Sequence, residues 1–292
     1  MQFSTIRDHS DSLDLRYASA PESNEAISRY VVFLNGRTEW IEKYAYLVND
    51  LNLDGRTGFL TMDHRGQGKS GGARAYVDSY DSYARDCAAV ISHVVGNKPF
   101  TLIGHSMGCL IALYATLKGH VSPNGLILCS PLLGLPNWPV PRFFAKPSSK
   151  ILNLVKLGSM HSGAGNHANE KFEANQLTHD VDKFEIIRKS PFPVPSATFG
   201  WVNATFEAIN QVFLPENLKK LHVPVLIIIG SKETVVDPNA FQAWIQAATK
   251  ESKSEIEYLI VPNGKHELLS EVPQYYAKAL TGINGFLKKK SS

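Results

Sequence analysis

Short, mostly apolar runs that alternate with longer stretches of helical spacing constrain this chain of 292 residues more than any other feature. The runs fall at 30–34, 58–62, 100–103, 126–129, 225–229 and 256–261. A strand with one wet face alternates apolar and polar residues; runs that stay apolar belong inside a sheet covered on both sides. Segments 39–51, 77–95, 107–119 and 238–250 carry apolar residues at helical spacing between the runs. The alternation predicts a βαβα order around a parallel sheet. Ahead of it, two alternating runs at 3–8 and 13–18 flank the polar turn His9-Ser10-Asp11-Ser12 and predict an antiparallel hairpin.

One stretch breaks this rhythm. Residues 134–214 offer no convincing buried strand, are rich in Pro, Asn and Ser, and are too long for an ordinary loop. They are read as an inserted, mostly helical cap over a core built from 1–133 and 215–292. The terminal Lys288-Lys289-Lys290-Ser291-Ser292 is read as a solvated tail.

Composition narrows the class without naming a function. The net charge of +3, from 30 Lys and Arg against 27 Asp and Glu, is too even for nucleic acid to be the main partner. The opening residues lack the charged start and apolar run of a secretory signal, and no stretch approaches the roughly 18 apolar residues of a membrane span. A soluble cytoplasmic protein is expected. Cys87, Cys109 and Cys129 are odd in number and follow no metal-ligand spacing, so neither a disulfide framework nor a metal centre is expected. Cys109, close to Ser106, is read as a buried core residue rather than a reactive thiol.

The run 101–103 leads directly into Gly104-His105-Ser106-Met107-Gly108, and helical spacing resumes at once. A serine held on so sharp a turn projects from the sheet edge, and the flanking glycines remove side chains that would collide there. The start of the following helix favours negative charge developing on a substrate oxygen. A serine hydroxyl needs an imidazole to take its proton during attack. Of ten histidines, His266 follows the last predicted strand, on a loop at the carboxyl edge of the sheet. His105 is read as pointing away from the nucleophile, His9, His93 and His120 as exposed, and His161, His167 and His179 as cap residues at no metal spacing.

The third partner should be a carboxylate lying between Ser106 and His266 in the chain. Glu233 is preferred because it follows a strand end; Asp237 is the alternative, but it precedes Pro238 and a helical run and so has a capping role available. For the oxyanion, the backbone N–H of Met107 and that of Arg37, after the strand-ending Asn35-Gly36, are the candidate donors. The glycine-rich Asp63–Gly72 segment fails as a phosphate loop, because Asp63 stands where the pattern needs glycine, and is read as a structural turn.

Asp63-His64-Arg65-Gly66-Gln67-Gly68-Lys69-Ser70-Gly71, the Ser106 pentapeptide, Glu233-Thr234-Val235-Val236-Asp237 and the late His266 together resemble the monoacylglycerol lipase and lysophospholipase L2 branch of the α/β hydrolases. The resemblance implies an α/β-hydrolase fold: a mostly parallel sheet with helices on both faces and an inserted helical cap. It also implies a serine esterase that cleaves single-chain lipid esters through an acyl-enzyme without a cofactor. Asn35-Gly36 stands where many relatives have His-Gly, and Glu233 where many have Asp, which looks closer to lysophospholipase L2. A short-chain carboxylesterase, thioesterase or acyltransferase on the same fold, and a non-catalytic lipid-binding module, are the alternatives. Between Gly134 and His161, Arg142, Lys146, Lys150 and Lys156 interleave with Trp138, Phe143, Phe144 and Ile151 and no acidic residue. That pattern suits either a cap helix with solvated lysines or peripheral contact with an anionic membrane at its inner face.

Overall fold

The computed structural model describes residues 1–8, 11–21, 26–135, 158–161 and 170–289. Its sheet contains β1 (Gln2–Asp8), β2 (Leu13–Ala20), β3 (Arg29–Leu34), β4 (Thr57–Met62), β5 (Phe100–His105), β6 (Gly125–Cys129), β7 (Val225–Gly230) and β8 (Ile256–Val261). The order is β1-β2-β4-β3-β5-β6-β7-β8. β1 and β2 form the expected antiparallel hairpin, and every pairing from β4 onward is parallel. The helices are α1 (Leu47–Asp50), α2 (Tyr80–Val94), α3 (Met107–Leu117), α4 (Val181–Arg188), α5 (Phe199–Phe213), α6 (Pro215–Leu218), α7 (Ala240–Glu251) and α8 (Pro273–Lys289).

The apolar runs become central strands because both of their faces are dry. Val32 and Leu34 of β3 pack with α2, α3, α5 and α7 in one cluster, while Val31 and Phe33 pack with α1 and α8 in another. α3 is buried almost all round, as an apolar helix between sheet and neighbours has to be. α5 lies within 134–214, yet its Trp201, Val202, Ala204 and Phe206 join the same cluster as α2 and α3. Among the described residues no helix is long and apolar enough to cross a membrane.

One local expectation differs from the structure. Segment 39–51 is not one helix but a 3₁₀ turn, Ile41–Tyr44, followed by the single turn of α1. Its apolar spacing is real, since Trp40, Ile41, Tyr44, Leu47 and Leu51 are all buried. The side chains of Glu39 and Lys43, however, are committed to the distant partners His105 and Glu267, which override helical propensity. At the chain end, Lys288 and Lys289 close α8 with exposed side chains, and Lys289 Nζ lies 2.9 Å from Glu257; residues 290–292 lie outside the described residues.

Candidate active site

Parallel strands deliver their carboxyl ends to one edge, and the residues singled out by the sequence for chemistry lie on loops there or, for Met107, at the start of α3. Ser106 sits between β5 and α3 at φ 51, ψ −113. A non-glycine residue in such a conformation costs about 1–3 kcal/mol and persists only where its surroundings impose it. Those surroundings are visible: the Ser106 N–H donates to the Cys129 carbonyl at 3.0 Å, and the Ser106 carbonyl accepts from Cys109 and Leu132 N–H. The glycines permit close approach. A Cβ on Gly108 would stand 2.0 Å from the Leu34 carbonyl oxygen, and one on Gly104 would stand 2.6 Å from the Cys109 nitrogen.

His266 and Glu233 meet. His266 Nδ1 lies 2.7 Å from Glu233 Oε2, with both residues buried. An ionised carboxylate can only accept, so Nδ1 carries the proton and Nε2 keeps its lone pair. The other oxygen, Glu233 Oε1, accepts from the N–H groups of Val235 (2.8 Å) and Val236 (3.2 Å). Burial opposes ionisation of Glu233 most strongly, but the charge and hydrogen bond of His266 and the two backbone donors outweigh it and hold the carboxyl below its usual range. Asp237 is placed differently: its Oδ1 accepts from Asn239 N–H at 3.0 Å just ahead of α7.

The His266 loop is tied to the elbow by its neighbours. Ser130 Oγ donates to the His266 carbonyl at 2.7 Å while Ser130 N–H donates to Ile228. The His105 and His266 rings lie 5.1 Å apart. The loop is also stitched to a piece of the insertion. Glu267 N–H donates to the Leu177 carbonyl at 2.8 Å, Lys265 Nζ to the Asn175 carbonyl at 2.9 Å, and Glu271 accepts from Lys265 N–H and His179 N–H.

The oxyanion candidates are equally braced. Met107 opens α3, where the first N–H groups have no partner within the helix. On the facing loop, His64 Nε2 lies 3.0 Å from the Asn35 carbonyl, the Glu39 carboxylate accepts from Gly36 N–H, and Gln67 Oε1 accepts from Thr38 N–H at 2.5 Å. Burial pushes the His64 imidazole down to about 4, so it is neutral near pH 7 and donates Nε2–H to that carbonyl. Gln67 also reaches Met107 Sδ at 3.7 Å, joining the two loops. This gives the 63–72 turn its work, with Asp63 accepting from Ile41 and Lys69 N–H and from Arg16. The Arg37 side chain points elsewhere: its guanidinium donates to the Pro195 carbonyl at 3.3 Å and lies over the Trp201 ring, and burial pushes it down to about 10.

A family model described as serine aminopeptidase, S33, matches residues 25–273. The chain belongs to this family of α/β hydrolases. The S33 hydrolase is 30% identical to a probable lysophospholipase L2 of Haemophilus influenzae, over 96% of its own length and 89% of the relative's. It is 27% identical to human monoglyceride lipase, over 79% and 73% respectively. The solved structure of a soluble variant of monoglyceride lipase from Saccharomyces cerevisiae matches with a TM-score of 0.78 at 20% identity, covering 99% of the S33 hydrolase and 94% of that chain. A carboxyl esterase from Bacillus coagulans matches at 0.79 and 17%, covering 99% of each. At such identities the structural likeness shows the fold alone, and the fold is the one expected from the sequence. The named relatives agree with the branch that the motifs resemble.

Sequence reasoning missed a cluster beside these loops. His105, read as pointing away from the nucleophile, lies 3.0 Å from Glu39 and 3.3 Å from the Tyr44 hydroxyl, and Lys43 bridges Glu39 and Glu267. Apart from the i, i+4 pair Glu39–Lys43, these contacts span 61 to 224 residues of chain, so no local motif announces the cluster. His120 also differs from expectation: it is partly buried, with Nε2 2.8 Å from Asp81. His93 is exposed as read, and His161 and His179 bond to the Ser196 carbonyl and Glu271. All three cysteines are buried, and burial pushes the Cys87 and Cys129 thiols up to about 12, which removes thiolate chemistry near neutral pH. His9, His167 and the basic aromatic stretch around Trp138, Arg142, Phe143, Phe144, Lys146, Lys150, Ile151 and Lys156 lie outside the described residues.

Proposed function

We propose that this hydrolase cleaves the carboxylic ester of single-chain lipids, monoacylglycerols or lysophospholipids, in two steps through an acyl-enzyme on Ser106. The observation that carries the reading is the 2.7 Å Glu233–His266 pair, presented on loops at the same sheet edge as a serine held at φ 51. Ser106 Oγ attacks the ester carbonyl as His266 Nε2 takes its proton. Glu233 holds the imidazole in the tautomer that can do so and stabilises the imidazolium. The N–H groups of Met107 and Arg37 receive the oxyanion; in hydrolases generally each such donor is worth about 2.7–4 kcal/mol. His266 returns the proton to the leaving alcohol, and water repeats the cycle on the acyl-enzyme.

Residues 134–214 serve as a cap over the serine, supported by their position between β6 and β7 and by the contact of 175–180 with the His266 loop. The relatives' names favour lipid esters, and Glu233 with Asn35-Gly36 leans toward the lysophospholipase side. Turnover of monoacylglycerols, lysophospholipids and short nitrophenyl esters compared on one scale tests the reading. Higher kcat/KM on long acyl chains is expected, and a preference for short esters would replace a lipase with a general carboxylesterase. The basic aromatic composition of 134–161 also supports peripheral contact with an anionic bilayer. The protein should then float with anionic liposomes at low salt and be released at high salt, whereas no flotation at low salt would remove that contact.

A further inference from the structure

We infer that Glu39 is a positioning residue for the reaction, because its carboxylate joins three catalytic loops at positions adjacent to the groups that react. The inference rests on the assignment of Ser106, His266 and the Arg37 N–H made above. Glu39 is 3% exposed. It accepts from the N–H of Gly36, the residue before Arg37. Its Oε1 lies 3.0 Å from Nδ1 of His105, the residue before Ser106. The same oxygen accepts from Lys43 Nζ at 2.7 Å and Tyr44 Oη at 2.8 Å. Lys43 also donates to Glu267, the residue after His266, at 2.8–2.9 Å, and the Tyr44 hydroxyl oxygen, its one proton shared between the two carboxylates, lies 3.0 Å from Glu267.

A purely structural ion pair has no need of this distribution. Glu39, His105 and Glu267 present ligand atoms within 4.8 Å of one another, as a metal site would, and the Lys43 ammonium bonds to both carboxylates of that set. Two carboxylates face an ammonium and an imidazole. Burial opposes ionisation of Glu39, but Lys43 and His105 hold its carboxyl well below the usual range; burial likewise opposes protonation of His105, but Glu39 and Glu267 raise it. The charged cluster is therefore a rigid core whose spokes end one residue from each reacting group. A misplacement of about 1 Å in such groups costs on the order of a hundredfold in rate.

The test compares three variants with the wild type on a soluble nitrophenyl ester, together with their affinity for an alkylboronic acid that forms a tetrahedral adduct on serine. Fluorophosphonate labelling of wild-type Ser106 comes first: no labelling defeats the assignment of the nucleophile, independently of Glu39. Given labelling, Glu39→Gln is expected to lower kcat by about ten- to a hundredfold with KM within about threefold, and to weaken the boronic acid by a matching factor. Glu39→Asp keeps the charge but withdraws the carboxylate from Gly36, and it should stay impaired. Should the single Gln variant fail to fold, Glu39→Gln with Lys43→Met removes one charge of each sign and carries the same expectation. A Gln or double variant with wild-type kcat, a fully active Asp variant, or a loss that tracks the folded fraction and vanishes on cooling overturns the inference.

Discussion

Ser106→Ala is expected to lower kcat on a long-chain monoacylglycerol or lysophospholipid by about a millionfold, the scale on which serine hydrolases lose their nucleophile. The protein should remain folded, because the backbone that holds position 106 at φ 51 is fixed by Cys129, Cys109 and Leu132 rather than by the hydroxyl. KM and the unfolding temperature should change little. Comparison of purified wild type and variant on the same lipid checks this, and turnover surviving at even a hundredth of the wild-type rate would mean that another group is the nucleophile.

Glu233→Gln should cost about a thousand- to ten-thousandfold in kcat, more than its near-identical shape suggests. Glu233 Oε1 already accepts from Val235 and Val236 N–H, so the amide oxygen of a glutamine stays there. Its NH₂ then faces His266 Nδ1 at the place of Oε2. A donor at that place forces Nδ1 to accept, moves the ring proton to Nε2 and leaves the imidazole unable to take the proton of Ser106. Asp237→Asn, whose carboxylate serves the turn before α7, should change kcat by less than about threefold. Steady-state kinetics on both variants separates the two carboxylates, and the reverse pattern would move the acid to Asp237. The acid side carries a second signature. The Glu233 carboxyl is held below its usual range in the folded protein, so the stability it contributes is present above the unfolded carboxyl pKa, near 4.5, and is lost as pH falls below it. Glu233→Gln should therefore flatten the fall in unfolding free energy as pH drops below about 4.5.

What the sequence made legible follows the range of the physical signal. The strands at 30–34, 58–62, 100–103, 126–129, 225–229 and 256–261 emerge within a residue or two of the observed β3 to β8, because burial on both faces leaves a purely local mark. Ser106, Glu233 and His266 could be read because each ends or follows such a strand. The same reasoning failed for 39–51, where helical spacing of buried residues coexists with a 3₁₀ turn pinned by distant partners. It also passed over α8, although Ala279, Ile283 and Phe286 stand at i, i+4 and i+7 behind Pro273 and are its buried face. The Glu39 cluster was out of reach for a different reason. Glu39 and Lys43 are an ordinary i, i+4 pair in sequence, and only the closing of the sheet edge brings His105 and Glu267 within hydrogen-bonding distance of them. Lone buried charges of this kind cost several kcal/mol, so the contact of His105 and Glu267 with the Glu39–Lys43 pair is a product of the fold and not of any local pattern.

The contacts between 175–180 and the His266 loop bear on how such enzymes can be recombined. Leu177, Asn175 and His179 of the insertion are bound by Glu267, Lys265 and Glu271, which flank the histidine itself. A graft that exchanged the insertion for a relative's while keeping the host's 264–271 would join two halves of a hydrogen-bonded seam that had never been matched. Chimeras in this family should therefore be cut so that this seam travels as one piece, with residues 175–180 and the histidine loop drawn from the same parent.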